Sequence, residues 1–179
     1  MVLTYFNQQH LGTLGEALDI AEDMTSNFYK LSLSHWKKHR FDVKTLSNLF
    51  GDDIKDNAFA LLKRYMANGT ADVEPVHKKR EFYIICLQDH QILKALDRDR
   101  YIKLLPLLAY ILTHELVHIV RFCNFQVRFD TRHEDSKIKE EKIVHQTTHE
   151  ILKGLPLPDF SYILNSYDPA KINMDVCMI

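Results

Sequence analysis

The chain is poor in cysteine. Its 179 residues include only Cys86, Cys123 and Cys177, with no CxxC pair. An odd number without paired spacing argues against a disulfide framework and against a four-cysteine zinc site. Cys86 and Cys123 have apolar neighbours in the sequence, so we expect both to be buried thiols.

Targeting signals are also lacking at both ends of the sequence. The start, MVLTYFNQQH, has no cationic region followed by an apolar run, so no signal peptide is predicted. Cys177 is third from the end, so the tail does not form a CaaX prenylation box. We therefore expect a cytoplasmic protein.

Neither sign of charge dominates the composition. The formal net charge is −1, with 46% hydrophobic and 26% charged residues, which indicates an ordinary globular protein without a general attraction to nucleic acid or anionic membranes. The sequence shows no repeat, low-complexity tract or linker rich in Ser and Pro. Its length predicts a single domain over 1–179. We divide it into a helical N-terminal part (1–70), a central part (80–153) and a C-terminal tail (154–179).

The longest apolar stretch runs from Ile102 to Phe122. Five ionisable residues interrupt it: Lys103, His114, Glu115, His118 and Arg121. Ionisable groups are costly in lipid, so the stretch predicts a buried core helix rather than a membrane span.

Periodicity and breaker residues predict an α+β fold in which helices predominate. Helices are expected over 14–40, 52–66 and 89–96, from Asp97 or Asp99 to about 122, and over 135–153. Pro106 either kinks the long helix or marks the first turn of a separate one. Short strands are expected over 81–87 and 125–130.

One motif in the long helix points to chemistry. The segment THELVHIV contains HExxH, formed by His114, Glu115 and His118. Two histidines four residues apart lie on one helical face, so both imidazoles can reach one ion. Zinc suits nitrogen ligands and keeps a coordination position for water in catalytic sites. Glu115 can reach that water as general base.

The apolar flanks of the motif favour a metal site over coincidence. A surface helix would carry polar residues on its exposed face, whereas nearly every flanking position here is apolar or aromatic. Two histidines and a glutamate buried without partners would be costly. We therefore expect one zinc ion per chain.

The segment resembles the active-site helix of the zincin metallopeptidases, and the resemblance covers about residues 104–152. The metzincin pattern HExxHxxGxxH is not met, because Arg121 and Asn124 stand where it needs Gly and His. The gluzincin-like pattern, with a ligand glutamate on a following helix, is met by Glu140 or Glu141. The resemblance implies a core with an active-site helix, a ligand helix and a small sheet. It also implies peptide binding along an edge strand, either 81–87 or 125–130.

Helical periodicity favours Glu141 as the third ligand. An apolar arc defined by Ile138, Val144, Thr148, Ile151 and Leu152 includes Glu141 and places Glu140 at its edge. His145 is the next candidate, followed by Glu140, His133 and His149. The competing interpretation of Glu141 is a solvated charge within KIKEEK.

His145 lies four residues after Glu141, where gluzincins often have a small or acidic residue. It is therefore a candidate alternative ligand, a hydrogen-bond partner of a ligand, or an electrophile toward the substrate carbonyl. Candidate donors to a developing oxyanion are His149, His133, Tyr162 and Tyr167.

These residues predict a zinc metallopeptidase that acts on a peptide or protein substrate, with Glu115 as general base. One alternative is a zinc hydrolase of a non-peptide amide. The other is a non-enzymatic, zincin-like interaction protein, in which four protein ligands would close the metal site.

Overall fold

The structure, a computed structural model, describes residues 3–67, 80–124 and 134–167. In chain order the elements are α1 (Gln8–Tyr29), α2 (Leu33–Lys38), β1 (Arg40–Lys44), β2 (Ala60–Ala67), β3 (Arg80–Leu87), α3 (Asp89–Arg98), α4 (Leu104–Cys123), α5 (Glu134–Leu152) and α6 (Phe160–Ser166). Two short 3-10 turns lie between β1 and β2. The described part is mostly helical with one small mixed sheet, which confirms the α+β class.

The first predicted helix is shorter than expected and begins earlier. A capping box opens α1: the Asn7 side chain accepts from the His10 amide at 2.9 Å, and the His10 ring accepts from the Asn7 amide at 3.2 Å. The helix stops at Lys30, whose backbone is left-handed with φ 52°. The prediction of one helix over 14–40 is therefore wrong beyond Tyr29, because the chain turns there, forms α2 and enters β1 at Arg40.

The helix predicted over 52–66 is also wrong, since strand β2 occupies Ala60–Ala67. The segment contains good helix formers, but intrinsic propensity is a weak preference that tertiary pairing overrides. All eight residues of β2 pair with β3 in antiparallel register, from Ala60 opposite Leu87 to Ala67 opposite Arg80. The N-terminal part over 1–70, which we expected to be helical, therefore contains two strands, β1 and β2.

Strand β3, predicted over 81–87, is confirmed and lies at the centre of the sheet, whose order is β1-β3-β2. It pairs in parallel with β1, from Arg40 opposite Phe82 to Lys44 opposite Cys86. The edges of the sheet are therefore β1 and β2. The strand expected over 125–130 lies outside the described residues.

A buried polar pair joins β3 to α3. Asp89 is 1% exposed, and its carboxylate accepts from the backbone amides of Phe6 and Leu46 at 2.9 and 3.0 Å. Gln88 is fully buried, accepts from the Lys55 amide at 2.8 Å and donates to two backbone carbonyls. Helix α3 confirms the predicted helix over 89–96 and extends it to Arg98.

Helix α4 forms the centre of the core. It begins at Leu104, so Pro106 lies in its first turn, where the missing amide costs nothing. Every residue from Pro106 to Val120 is buried. By length and composition alone α4 could cross a membrane, but 83% of its most apolar window is buried inside the protein. The expected core helix fits this burial.

Two long helices cover α4. Helix α1 packs against it with a face that includes the fully buried Ala17 and Ala21, whose small side chains allow a close approach. Helix α5, close to the predicted 135–153, packs along α4 from another side. The contact between α4 and α5 is where the candidate site lies.

Candidate metal centre

The two histidines of the motif face each other on α4. His114 is 4% exposed and His118 is fully buried. Their Nε2 atoms are 3.1 Å apart. Both rings therefore direct a nitrogen toward the same point, as the four-residue spacing predicts.

Helix α5 brings a carboxylate to this point. Glu141 Oε2 lies 3.3 Å from His114 Nε2, and Glu141 Oε1 lies 3.2 Å from His118 Nε2. Ligand atoms at 2.0–2.1 Å from a tetrahedral zinc ion are about 3.3 Å apart. Each of the three separations is therefore close to the distance between two ligands of one zinc ion, with His114 and His118 facing different oxygens of Glu141.

Electrostatics favour a charged carboxylate at Glu141. Burial opposes its ionisation, but the neighbouring imidazoles of His114 and His118 outweigh burial and hold the pKa of Glu141 well below its usual range. An anionic carboxylate beside two imidazoles is a donor set that zinc prefers.

The neighbouring Glu140 has a different partner. Glu140 is 8% exposed, so it is more deeply buried than its predicted position at the edge of the apolar arc suggested. It forms a bidentate ion pair with Arg121. Its two oxygens accept from Arg121 Nε at 2.6 Å and from a terminal Arg121 nitrogen at 2.8 Å. Glu140 also lies 4.0 Å from His118 Nδ1, beyond hydrogen-bond distance. Ile138, which helped to define the arc, is 37% exposed instead.

His145 lies one turn after Glu141 and closes the cluster on the other side. It is 4% exposed, and His114, Glu141 and His145 each offer a ligand atom within 4.8 Å of the other two. Burial, together with the charge of His114, lowers the pKa of His145 to about 3. Its imidazole is therefore neutral at physiological pH, as a metal ligand must be.

A tyrosine orients His145. The Tyr110 hydroxyl oxygen is 2.8 Å from His145 Nδ1, and the hydroxyl donates to the backbone carbonyl of Tyr167 at 3.2 Å. A hydroxyl has one proton and a carbonyl only accepts, so this arrangement requires His145 Nδ1 to donate. The lone pair is then on Nε2. Such an outer hydrogen bond is typical of histidines that bind metals.

Glu115 lies beside the histidines in a small cleft. The cleft has a volume of about 20 Å³ and is lined by Glu115, His114, Ile111, Tyr110, Tyr167, Ala58, Phe59 and Ala60. This volume suffices for one water molecule. Burial, reinforced by the charge of Glu141, raises the pKa of Glu115 to about 7. A carboxyl group that titrates near neutrality suits proton transfer.

Several buried polar atoms of the cluster lack a partner. His114 Nδ1, His118 Nδ1 and Glu115 Oε2 have no hydrogen bond to the described residues. Buried polar groups are normally paired.

The other sequence candidates lie elsewhere. His149 lies on α5, half-buried, and is absent from the cleft lining. Tyr162 donates to Asp99, whereas Tyr167 lines the cleft. His133 lies outside the described residues. Of the expected oxyanion donors that the structure describes, Tyr167 is therefore the one beside Glu115.

Sequence reasoning missed Tyr110 and Arg121. Tyr110 precedes His114 by one helical turn, as His114 precedes His118, so the four-residue spacing was a signal for it. Arg121 pairs with Glu140 across two helices, and no spacing within one helix reveals that contact.

Comparisons of the chain with protein-family models, with curated proteins and with solved structures give no match. The chemistry of the site is therefore inferred from its geometry alone.

Proposed function

We propose that the protein is a zinc-dependent hydrolase with a zincin-like core, and that it is a metallopeptidase. His114, His118 and Glu141 would hold the zinc ion, and Glu115 is the general base. The observation that carries the proposal is that two imidazole nitrogens 3.1 Å apart face the two oxygens of one carboxylate at 3.2 and 3.3 Å, and each separation is close to that between two ligands of one zinc ion.

The roles of the residues follow from their positions. Bound zinc lowers the pKa of a coordinated water and polarises a carbonyl group. Glu115 adjoins His114 in sequence and lines the same cleft, so its carboxylate can accept a proton there and pass it to the leaving group. Tyr167 lines the same cleft and is the proposed contact to a substrate. Tyr110 keeps His145 in one tautomer at the edge of the cluster.

The cleft has room for about one water molecule, so the support for a peptide substrate is the edge strand beside it. Ala58, Phe59 and Ala60 line it, and Ala60 begins β2. Strand β2 is at the edge of the sheet, where a backbone can pair with an extended peptide. The expectation that 81–87 provides this edge is wrong, because β3 is paired on both sides.

One observation favours a second function. His145 is near enough to His114 and Glu141 to join them around one ion. Four protein ligands would make the metal structural rather than catalytic. The protein would then be a zinc-stabilised interaction protein. Glu115 argues against this alternative, because a closed site has no use for a buried carboxyl group beside its first ligand.

Elemental analysis and peptide hydrolysis test the proposal together. We expect His118→Ala to contain one zinc fewer than the wild-type protein. Glu115→Gln should keep the zinc and lose hydrolysis of a mixed peptide library. His149→Ala, on the same ligand helix but outside the cleft, is the matched control and should keep both.

Unchanged zinc in His118→Ala would refute the metal centre. Full activity in Glu115→Gln would remove the general base. If zinc depends on His118 but the wild-type protein cleaves no peptide, and His145→Ala also loses the metal, the structural alternative is supported.

A further inference from the structure

A second cluster of metal-binding side chains lies at the end of α4. His39, Glu81 and Cys123 each offer a ligand atom within 4.8 Å of the other two. They come from three parts of the fold: His39 directly follows α2, Glu81 is near the start of β3, and Cys123 is the last residue of α4.

This cluster is separate from the HExxH centre. Cys123 follows His118 by five residues, which corresponds to about 7–8 Å along the helix axis and about 140° around it. The two side chains therefore leave α4 in different directions. Ligands of one centre cannot complete the other.

The donor set of the second cluster fits zinc. A thiolate, an imidazole and a carboxylate are all ligands of zinc, whereas calcium and magnesium take oxygen ligands. Burial raises the pKa of the Cys123 thiol to about 11, and a bound zinc ion would displace that proton.

Hydrogen bonds around the cluster orient the carboxylate of Glu81. The Tyr83 hydroxyl donates to Glu81 Oε2 at 2.8 Å, and Arg64 lies 3.6 Å from Glu81 Oε1. Cys123 Sγ is 3.9 Å from the Tyr83 oxygen, near the limit for a thiol donor. Tyr83 thus orients Glu81 as outer partners orient metal ligands.

We propose that His39, Glu81 and Cys123 hold a second zinc ion. The ion ties the end of α2 and the start of β3 to the end of the helix that carries the HExxH motif. The chain then binds two zinc ions, one more than the motif alone predicts.

Cobalt binding to the full-length protein tests this site independently of the first one. Metal is removed by a chelator, and the apoprotein is titrated with Co²⁺ while absorption is recorded in the near ultraviolet. A thiolate bound to cobalt gives a sulfur-to-metal charge-transfer band. The HExxH centre contains no sulfur and gives none.

We expect a band that saturates at one equivalent in the wild-type protein and persists in His118→Ala. Cys123→Ser, which nearly preserves the side-chain volume, should abolish it and contain one zinc fewer by elemental analysis. His39→Gln should weaken it, which checks the site through a residue that is only partly buried. Cys86→Ser is the matched control, since Cys86 packs in a different cluster.

Absence of the band in the wild-type protein, or its survival in Cys123→Ser, would overturn the second site. Loss of zinc in His118→Ala with unchanged zinc in Cys123→Ser would leave the first centre intact and refute the second. The reverse result would refute the first centre alone.

Discussion

Two buried polar clusters of this protein differ in how their hydrogen bonds are satisfied. At the start of α3, Gln88 and Asp89 bond to backbone groups of several segments, and their side chains have partners. At the contact of α4 and α5, His114, His118 and Glu115 retain buried atoms without partners among the described residues. The first cluster therefore joins segments of backbone, whereas the second brings two imidazole nitrogens within 3.3 Å of the oxygens of one carboxylate.

The largest difference between the clusters should appear in metal binding. Glu141→Gln removes the negative charge of the proposed ligand. Loss of an outer partner of a metal ligand lowers affinity by up to about 100-fold, so we expect a larger fall in zinc affinity here. Glu140→Gln is the matched control on the adjacent residue, and we expect a fall of less than about 10-fold. Competition with a chromophoric chelator measures both. Equal losses in the two variants would contradict the assignment of Glu141 as the ligand.

Asp89 should matter for stability and not for metal. Asp89→Ala leaves the buried amides of Phe6 and Leu46 without an acceptor, which we expect to lower the free energy of unfolding by about 2 kcal/mol. Asp89→Asn keeps one acceptor oxygen and should lose less. Urea unfolding of the zinc-loaded proteins measures the difference. A loss of zinc in Asp89→Ala, without unfolding, would break the distinction between the two clusters.

Arg121 pairs with Glu140, the neighbour of the proposed ligand Glu141, and its loss should lower the free energy of unfolding. Arg121→Ala leaves Glu140 buried and charged, and we expect a loss of about 1.5 kcal/mol, less than for a fully buried pair because both side chains retain some exposure. Double replacement with Glu140→Gln should restore part of it. If the double variant is no more stable than Arg121→Ala, the unpaired charge is not the cause.

The smallest expected effect has the opposite sign. Glu115→Leu replaces a buried, partly unpaired carboxyl group with an apolar side chain, and we expect the metal-free protein to gain about 1 kcal/mol of stability. Asp89→Leu is the matched control and should lose stability. Thermal unfolding of the two apoproteins compares them. Destabilisation by Glu115→Leu would show that Glu115 supports the fold.

The sequence predicted the elements whose signals are local. The apolar run and the four-residue spacing of His114 and His118 located α4, and the aromatic, β-branched run located β3. The helix predicted at Ala60–Ala67 was wrong because pairing with β3 decides the conformation there. Helical periodicity favoured Glu141 as the buried glutamate, but it did not predict that Glu140 would also be buried, in an ion pair with Arg121. Contacts between two elements depend on how the chain folds, and the sequence pattern of one helix does not predict them.

The packing of α1 on α4 has a consequence for the kinetics of folding. The two helices contact each other although residues 30–103 separate them in the chain. Closing so long a loop lowers the entropy of the chain before any stabilising contact forms, so such non-local topology slows folding. In contrast, α4 and α5 follow each other in the chain and also contact each other. We therefore expect the contact between α4 and α5 to form early and the N-terminal helix to dock late.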